Sequence, residues 1–169
     1  VVTAKAAAGQ EHTALFNRLC AAPAAPASPL QPAVMQPGPP ARSTWHADPV
    51  KVFDNLYFVG MTEYSAWAVN TSDGIIILDS IFDYSVEDEV VNGLAKLGLD
   101  PAKIKYVVVS HGHSDHAGGA KLLQDRFGAH IILSAADWDL LAHDTGAWPK
   151  PKRDMVATDG QRLMLGGTT

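Results

Sequence analysis

A chain of 169 residues, 47% of them hydrophobic and 18% charged, is long enough to bury a core and too apolar to remain unfolded. Its formal net charge of −5 argues against nucleic acid as a partner, because phosphate binding calls for a basic surface. The single cysteine, Cys20, excludes an intrachain disulfide and a zinc site built on CxxC pairs, and no run approaches the roughly eighteen apolar residues of a membrane helix.

Val1 to Ala8 is small and apolar and lacks the charged start of a signal peptide. Residues 10–19 have the spacing of a short helix with Leu15, Phe16 and Leu19 on one face and His12 toward solvent. Residues 21–40 hold seven of the eleven prolines among many alanines, which predicts an extended arm, since proline cannot donate the N–H that helices and central strands require. Residues 1–44 therefore form an N-terminal helix and an Ala/Pro-rich arm, and Trp45 and His46 open the folded part, residues 45–169.

Val50–Val59, with Phe53, Leu56, Tyr57 and Phe58, reads as a strand, and Ala66–Asn70 as a second. Thr71-Ser72-Asp73-Gly74 has turn chemistry and leads into a buried strand, Ile75–Leu78, closed by the carboxylate of Asp79. Ser85 with Asp88 predicts a capped helix carrying Val86, Val90, Leu94 and Leu97 and stopping at Gly98. A strand over Lys105–Val109 follows, then a helix through Leu122, Leu123 and Phe127 to Gly128. A strand at His130–Leu133 and a helix at Ala135–His143 come next, with His143 placed to complement the helix dipole. Met155–Thr158 and Gln161–Leu165 flank Asp159-Gly160, the signature of a hairpin. Alternating strands and helices point to an α/β layer arrangement. The sequence stops at Gly166-Gly167-Thr168-Thr169, where a further strand is expected, so the ending reads as premature.

The densest chemistry is Ser110-His111-Gly112-His113-Ser114-Asp115-His116-Ala117-Gly118-Gly119. Three histidines and an aspartate fall within six residues at the end of an apolar strand, so a buried strand delivers four potential ligands into one loop. His111 and His113, two apart, lean to the same side in extended backbone. Neutral imidazoles and a carboxylate are the donors that zinc takes in an open site. Gly112, Ala117, Gly118 and Gly119 let the backbone crowd around an ion.

This H-x-H-x-D-H-A-G-G run, after a hydrophobic strand, resembles the signature of the metallo-β-lactamase superfamily. The resemblance continues upstream through Asp54–Gly60, Ala66–Val69 and Gly74–Asp79. It covers about residues 45 to 169 and implies the first half of an αββα sandwich, a mixed sheet with helices packed on one face. The histidine at 116 is similar to the third subclass of class B β-lactamases. A histidine at 113, where flavo-diiron proteins carry glutamate, favours zinc over iron. The resemblance implies two Zn2+ ions per complete site, His111 and His113 on one, Asp115 and His116 on the other, each completed by a histidine from a second half of the fold that lies beyond residue 169. It implies attack of a zinc-bound hydroxide, oriented by Asp115, on a β-lactam amide, with thioesterases and lactonases of the superfamily as alternatives and an inactive fragment needing a complementary half as a third reading. Asp79, by type a turn cap, would brace the metal loop; Tyr64 and Trp45, the latter by type a packing residue, become candidates for the substrate groove. The implied partners are a small-molecule substrate, a β-lactam or other cyclic amide or ester, and a second copy or complementary C-terminal half. The implied setting is periplasmic or secreted, and antibiotic resistance the implied role.

Overall fold

The computed structural model describes residues 2–20 and 38–169. The chain divides into two compact units, Val1–Pro37 and Gly38–Thr169. Most of the expected Ala/Pro arm, at 21–37, lies outside the described residues. The first unit contains two helices, α1 (Val2–Ala8) and α2 (Thr13–Cys20). The sequence reading missed α1, although its alanine content gives it high helix propensity. The helix expected from residue 10 starts at Thr13, because Gly9 turns the chain at φ 53° and the Thr13 hydroxyl donates to the Gly9 carbonyl at 3.0 Å. His12 is exposed.

The second unit is built on a seven-stranded sheet: β1 (Val50–Lys51), β2 (Leu56–Phe58), β3 (Trp67–Thr71), β4 (Gly74–Leu78), β5 (Ile104–Val108), β6 (His130–Ser134) and β7 (Met155–Ala157). Spatial order equals chain order. β1 to β4 pair antiparallel, and β4 to β7 pair parallel. One face is covered by helices. A π-helical turn (Glu87–Val91) running into α3 (Asn92–Lys96), then α4 (Ser114–Ala117), α5 (Ala120–Phe127) and α6 (Ala135–His143), bury Val90, Leu94, Ala117, Leu123, Trp138 and Leu141 in one core. The sheet contributes Tyr57, Ala68, Ile75, Ile77, Val107, Ile131 and Leu133 from alternate positions, as the two-residue period of a strand requires.

The opposite face is also apolar. Phe58, Trp67, Leu78, Val108, Ile132 and Met155 form one cross-strand row, with Leu56, Val69, Ile76 and Tyr106 beside it. Residues 161–169 cross part of this face, leaving a crevice of about 380 Å³ between Leu163 and Val69, Ile76, Leu78 and Val108.

Three expectations are corrected. The single strand over 50–59 is a hairpin, β1 and β2, turning at Asp54-Asn55, whose side chains suit a turn; Phe53, which helped suggest a strand, is 68% exposed at the bend. Ser85 caps no helix: it is buried, and its hydroxyl lies 3.1 Å from Met61 Sδ and 3.2 Å from the Phe82 carbonyl. The π-helical turn instead places Glu89 inside, where its carboxylate meets His46 Nδ1 at 2.6 Å and the Ala47 N–H at 3.2 Å. The hairpin at 155–165 does not form. Gly160, at φ 72°, makes the turn, but β7 pairs parallel with β6, and residues 161–165 cross the far face instead of pairing with β7.

Gly119 sits where the helix-bearing loop touches the β4 end. A Cβ there would collide with the Ser80 carbonyl and the Val86 side chain. Gly119→Ala should therefore destabilise the second unit by about 1–3 kcal/mol, the usual cost of overpacking. Equilibrium urea unfolding checks this, and an unchanged midpoint would contradict the packing described.

Candidate metal centre

The carboxyl ends of β4 and β5 lie side by side, the position at which open α/β sheets present their ligand-binding loops. Each strand leaves the sheet through a short irregular segment. After β4, Asp79 and Ile81 both adopt positive φ (59° and 50°), uncommon for aspartate and an outlier for a β-branched isoleucine. The kink is held from all sides. The Asp79 N–H donates to the Val108 carbonyl (2.9 Å), Ser80 donates through both N–H and hydroxyl to the His116 carbonyl (each 2.8 Å), and the Ile81 carbonyl accepts the Gly119 N–H (3.0 Å).

After β5 come Ser110 and the histidine loop. Gly112 N–H is pinned at 2.9 Å by Asp137 Oδ1 in the first turn of α6, and Asp137 is itself held by the Ser134 hydroxyl at 2.6 Å. His113 is extended (φ −84°, ψ 157°), and its carbonyl starts α4 by accepting from His116 and Ala117. Gly118 has no room for a side chain, since a Cβ would lie 2.7 Å from the Asp83 nitrogen and 2.9 Å from the Ile81 oxygen.

His111, His113 and Asp115 each present one donor atom, all within 4.8 Å of one another. The His111 ring centroid is 4.9 Å from that of His113 and 4.0 Å from that of His116. His116 joins the cluster from the side: its Nε2 is 3.5 Å from Asp115 Oδ2, while its Nδ1 is 2.8 Å from Asp79 Oδ2. The four sequence-selected ligands are thus gathered at one spot, three of them in the tighter group. Asp79 stands behind them, also accepting the Ser110 N–H (2.6 Å) and hydroxyl (2.9 Å). The donor set is imidazole nitrogen and carboxylate oxygen, open to solvent on the His113 side, which fits a borderline-soft divalent cation with free coordination positions.

One cavity borders the loop, and a second lies behind Tyr64. The first, of about 570 Å³, is lined by His113 and Asp115 together with Leu140, His143, Asp144 and Trp148. Its wall is self-braced: Lys150 reaches Asp144 at 3.3 Å, lies 4.5 Å over the Trp148 ring and donates to the Gly146 carbonyl. The other, of about 320 Å³, holds Trp45, Tyr64, Phe82 and Tyr84. Tyr64 packs edge-on to Phe82 (5.0 Å) and faces the His116 ring at 6.5 Å, so it stands between that cavity and the metal loop. Trp45 lines the cavity while being 7% exposed, its indole N–H bonded to the Pro40 carbonyl at 3.0 Å. Burial, then the neighbouring Tyr64 and Asp83, push the Tyr84 phenol above its ordinary value. Asp137 and Ser110 escaped the sequence reading; Ser134-x-x-Asp137 is a helix-start pattern that could have exposed the first.

A family model for the metallo-beta-lactamase superfamily matches residues 59–164. The chain belongs to that superfamily. Its fold is similar to that of a B3 metallo-beta-lactamase with an active-site glutamic acid, 30% identical with a TM-score of 0.68, covering 74% of this chain and 52% of that one. Among curated proteins it is similar to a nitric oxide reductase of Moorella thermoacetica, 25% identical over 114 residues (56% of this chain, 28% of the relative). It is also similar to an N-acyl homoserine lactonase from a Bacillus species, 35% identical over 57 residues (34% of this chain, 22% of the relative). The chain thus spans about half the length of the solved structure and under a third of either curated relative.

Asp144 gives the large cavity a titration signature. The Gly146 N–H, 2.8 Å from Asp144 Oδ1, and then Lys150 hold its carboxyl below the ordinary 3.8. A lowered value means that the loop-bracing contribution is present above pH 3.8 and lost as pH falls through the lowered value. Carboxyl-carbon NMR should give an Asp144 midpoint under 3.8, and one at or above it would remove this contact from solution.

Proposed function

We propose that this chain carries the metal-loop half of a zinc-dependent hydrolase that opens β-lactam amide rings. The observation that supports this is the convergence of His111, His113 and Asp115 donor atoms within 4.8 Å in the segment that leaves β5. Zinc in such a site supplies Lewis acidity toward a carbonyl oxygen and acidifies water to a pKa of about 7. The chain's residues do the rest. His111 and His113 hold one ion, and Asp115 and His116 hold a second. Asp115 would also accept a hydrogen bond from the attacking oxygen's proton and so orient it, and its place beside His111, His113 and His116 suits that role. Tyr64, facing the His116 ring, borders the groove on one side with Trp45 in the cavity behind it, and the His143–Trp148 cavity receives substrate on the other.

A β-lactam is preferred to a lactone or thioester because the B3 likeness runs over 74% of this chain, against 34% for the lactonase. A periplasmic or secreted setting belongs to the same reading and rests on that likeness. With two protein donors per ion, where a catalytic zinc takes three, this chain alone should hold zinc weakly, the further histidines coming from a complementary C-terminal half. Competition with a chelator should show weak uptake that His113→Ala abolishes. Nitrocefin turnover, absent from the 169-residue chain, should appear when a complementary half is added and exceed turnover of thioester and lactone substrates. Two tightly held zinc ions in the chain alone would overturn the divided-site reading, and preferred lactone or thioester turnover the choice of substrate.

The apolar row Phe58–Trp67–Leu78–Val108–Ile132–Met155 fits the same proposal as the surface on which that second half packs. The chain alone should bind an apolar dye or self-associate in sedimentation, and both signals should fall when the complementary half is present. A dye-silent monomer would speak against the need for a covering layer.

A further inference from the structure

Ser110 belongs to no ligand set, yet its hydroxyl oxygen lies at the centre of the groups behind the metal loop. It is 2.9 Å from Asp79 Oδ2, 3.3 Å from His111 Nδ1 and 3.2 Å from His116 Nδ1. We propose that Ser110 is a positioning residue, a relay by which the one carboxylate of Asp79 sets the tautomer of both His111 and His116 and so ties the two halves of the metal centre together. The inference rests on the metal-centre reading and names the device that orients its ligands.

The argument is one of donors and acceptors. A serine hydroxyl has one proton to give and two lone pairs to receive with. Asp79 Oδ2 is a charged acceptor, so it takes the Ser110 proton in preference to a neutral imidazole nitrogen. With that proton committed, the Ser110 oxygen facing His111 Nδ1 can only accept, and His111 must carry its proton on Nδ1. The same holds for His116, whose Nδ1 faces both the Ser110 oxygen and Asp79 Oδ2, 2.8 Å away. Any other tautomer would set lone pair against lone pair. Both rings therefore turn Nε2 outward, and outward is where Asp115 Oδ2 lies, 3.5 Å from His116 Nε2. A histidine that donates its far nitrogen to a carboxylate or its relay is both oriented and made more basic as a ligand. The Ser110 N–H bond to Asp79 Oδ1, at 2.6 Å, fixes the serine against rotation of its own backbone.

Ser110→Ala removes the relay while keeping that backbone anchor, so the loop stays in place. Long-range proton–nitrogen NMR on the metal-free chain, at a pH of about 8.5 where a free imidazole is neutral, reads which ring nitrogen is protonated. The unaltered chain should show Nδ1–H on both His111 and His116. In Ser110→Ala, His111 should revert to the mixture seen for an exposed histidine, while His116 keeps Nδ1–H through Asp79. Ser110→Thr should restore His111. Zinc affinity by chelator competition should fall about 10- to 100-fold in Ser110→Ala and recover in Ser110→Thr. Nε2–H on His111 in the unaltered chain would overturn the relay with no variant needed, and so would an unchanged His111 tautomer in Ser110→Ala. A chain that takes up no zinc while showing Nδ1–H on both rings would overturn the hydrolase reading and leave the relay standing.

Discussion

Everything at the metal loop depends on one carboxylate held in a conformation it would not choose. Asp79 leaves β4 at φ 59°, and its side chain then accepts from the Ser110 nitrogen, the Ser110 hydroxyl and His116 Nδ1. A single residue in the left-handed region costs on the order of 1–2 kcal/mol, and each hydrogen bond to a charged acceptor returns about 1.5–3 kcal/mol. Three such bonds outweigh the strain, so the kink persists, provided that β5 and α4 arrive where their donors are needed. The sheet register secures that arrival, because Leu78 pairs with Val108 and leaves Ser110 one residue beyond the level of Asp79, within reach of its carboxylate.

The glycines of the loop are the other side of this constraint. Gly118 and Gly119 lie against the kinked segment so closely that any side chain would strike Ser80, Ile81 or Val86. The small residues after the last histidine thus bring a one-turn helix close enough to the β4 end for Ser80 to grip the His116 carbonyl. The ligands are presented by the backbone of one segment after β5, and their orientation comes from the groups behind them, Asp79 at the end of β4 among them.

Much of this could be read in the sequence, because the decisive signals are local. The ligand spacing, the apolar runs of β4, β5 and β6 and the bounds of α6 follow from periodicity and from residue type, and the structure places α6 over Ala135–His143 as expected. The failures share a cause. Ser85 has the chemistry of a cap, but the core wanted its small side chain beside Met61, and the helix started with a wider turn instead. Phe53 suggests a strand by its β propensity, yet Asp54-Asn55 bends the chain and leaves it exposed. The Asp159-Gly160 turn forms, but β6 offers β7 a parallel edge that the local pattern cannot reveal. Ser110 and Asp137 were hidden because their importance lies in partners 31 and 25 residues away.

The agreement between strand order and chain order has a consequence for how this layer assembles. Each new strand pairs only with the one made just before it, β1 on β2 through to β6 on β7. The antiparallel pairs of β1 to β4 close over short connections and need little search, whereas the parallel pairs from β4 to β7 each close over a longer crossover and form more slowly. In a longer chain of this fold, the strands of this layer leave the ribosome ahead of whatever follows residue 169, because synthesis runs from the N-terminus. The metal loop, which waits on the parallel β4–β5 pair, would then take shape after the first hairpins, and the apolar row would stay open to chaperones until a covering layer arrives.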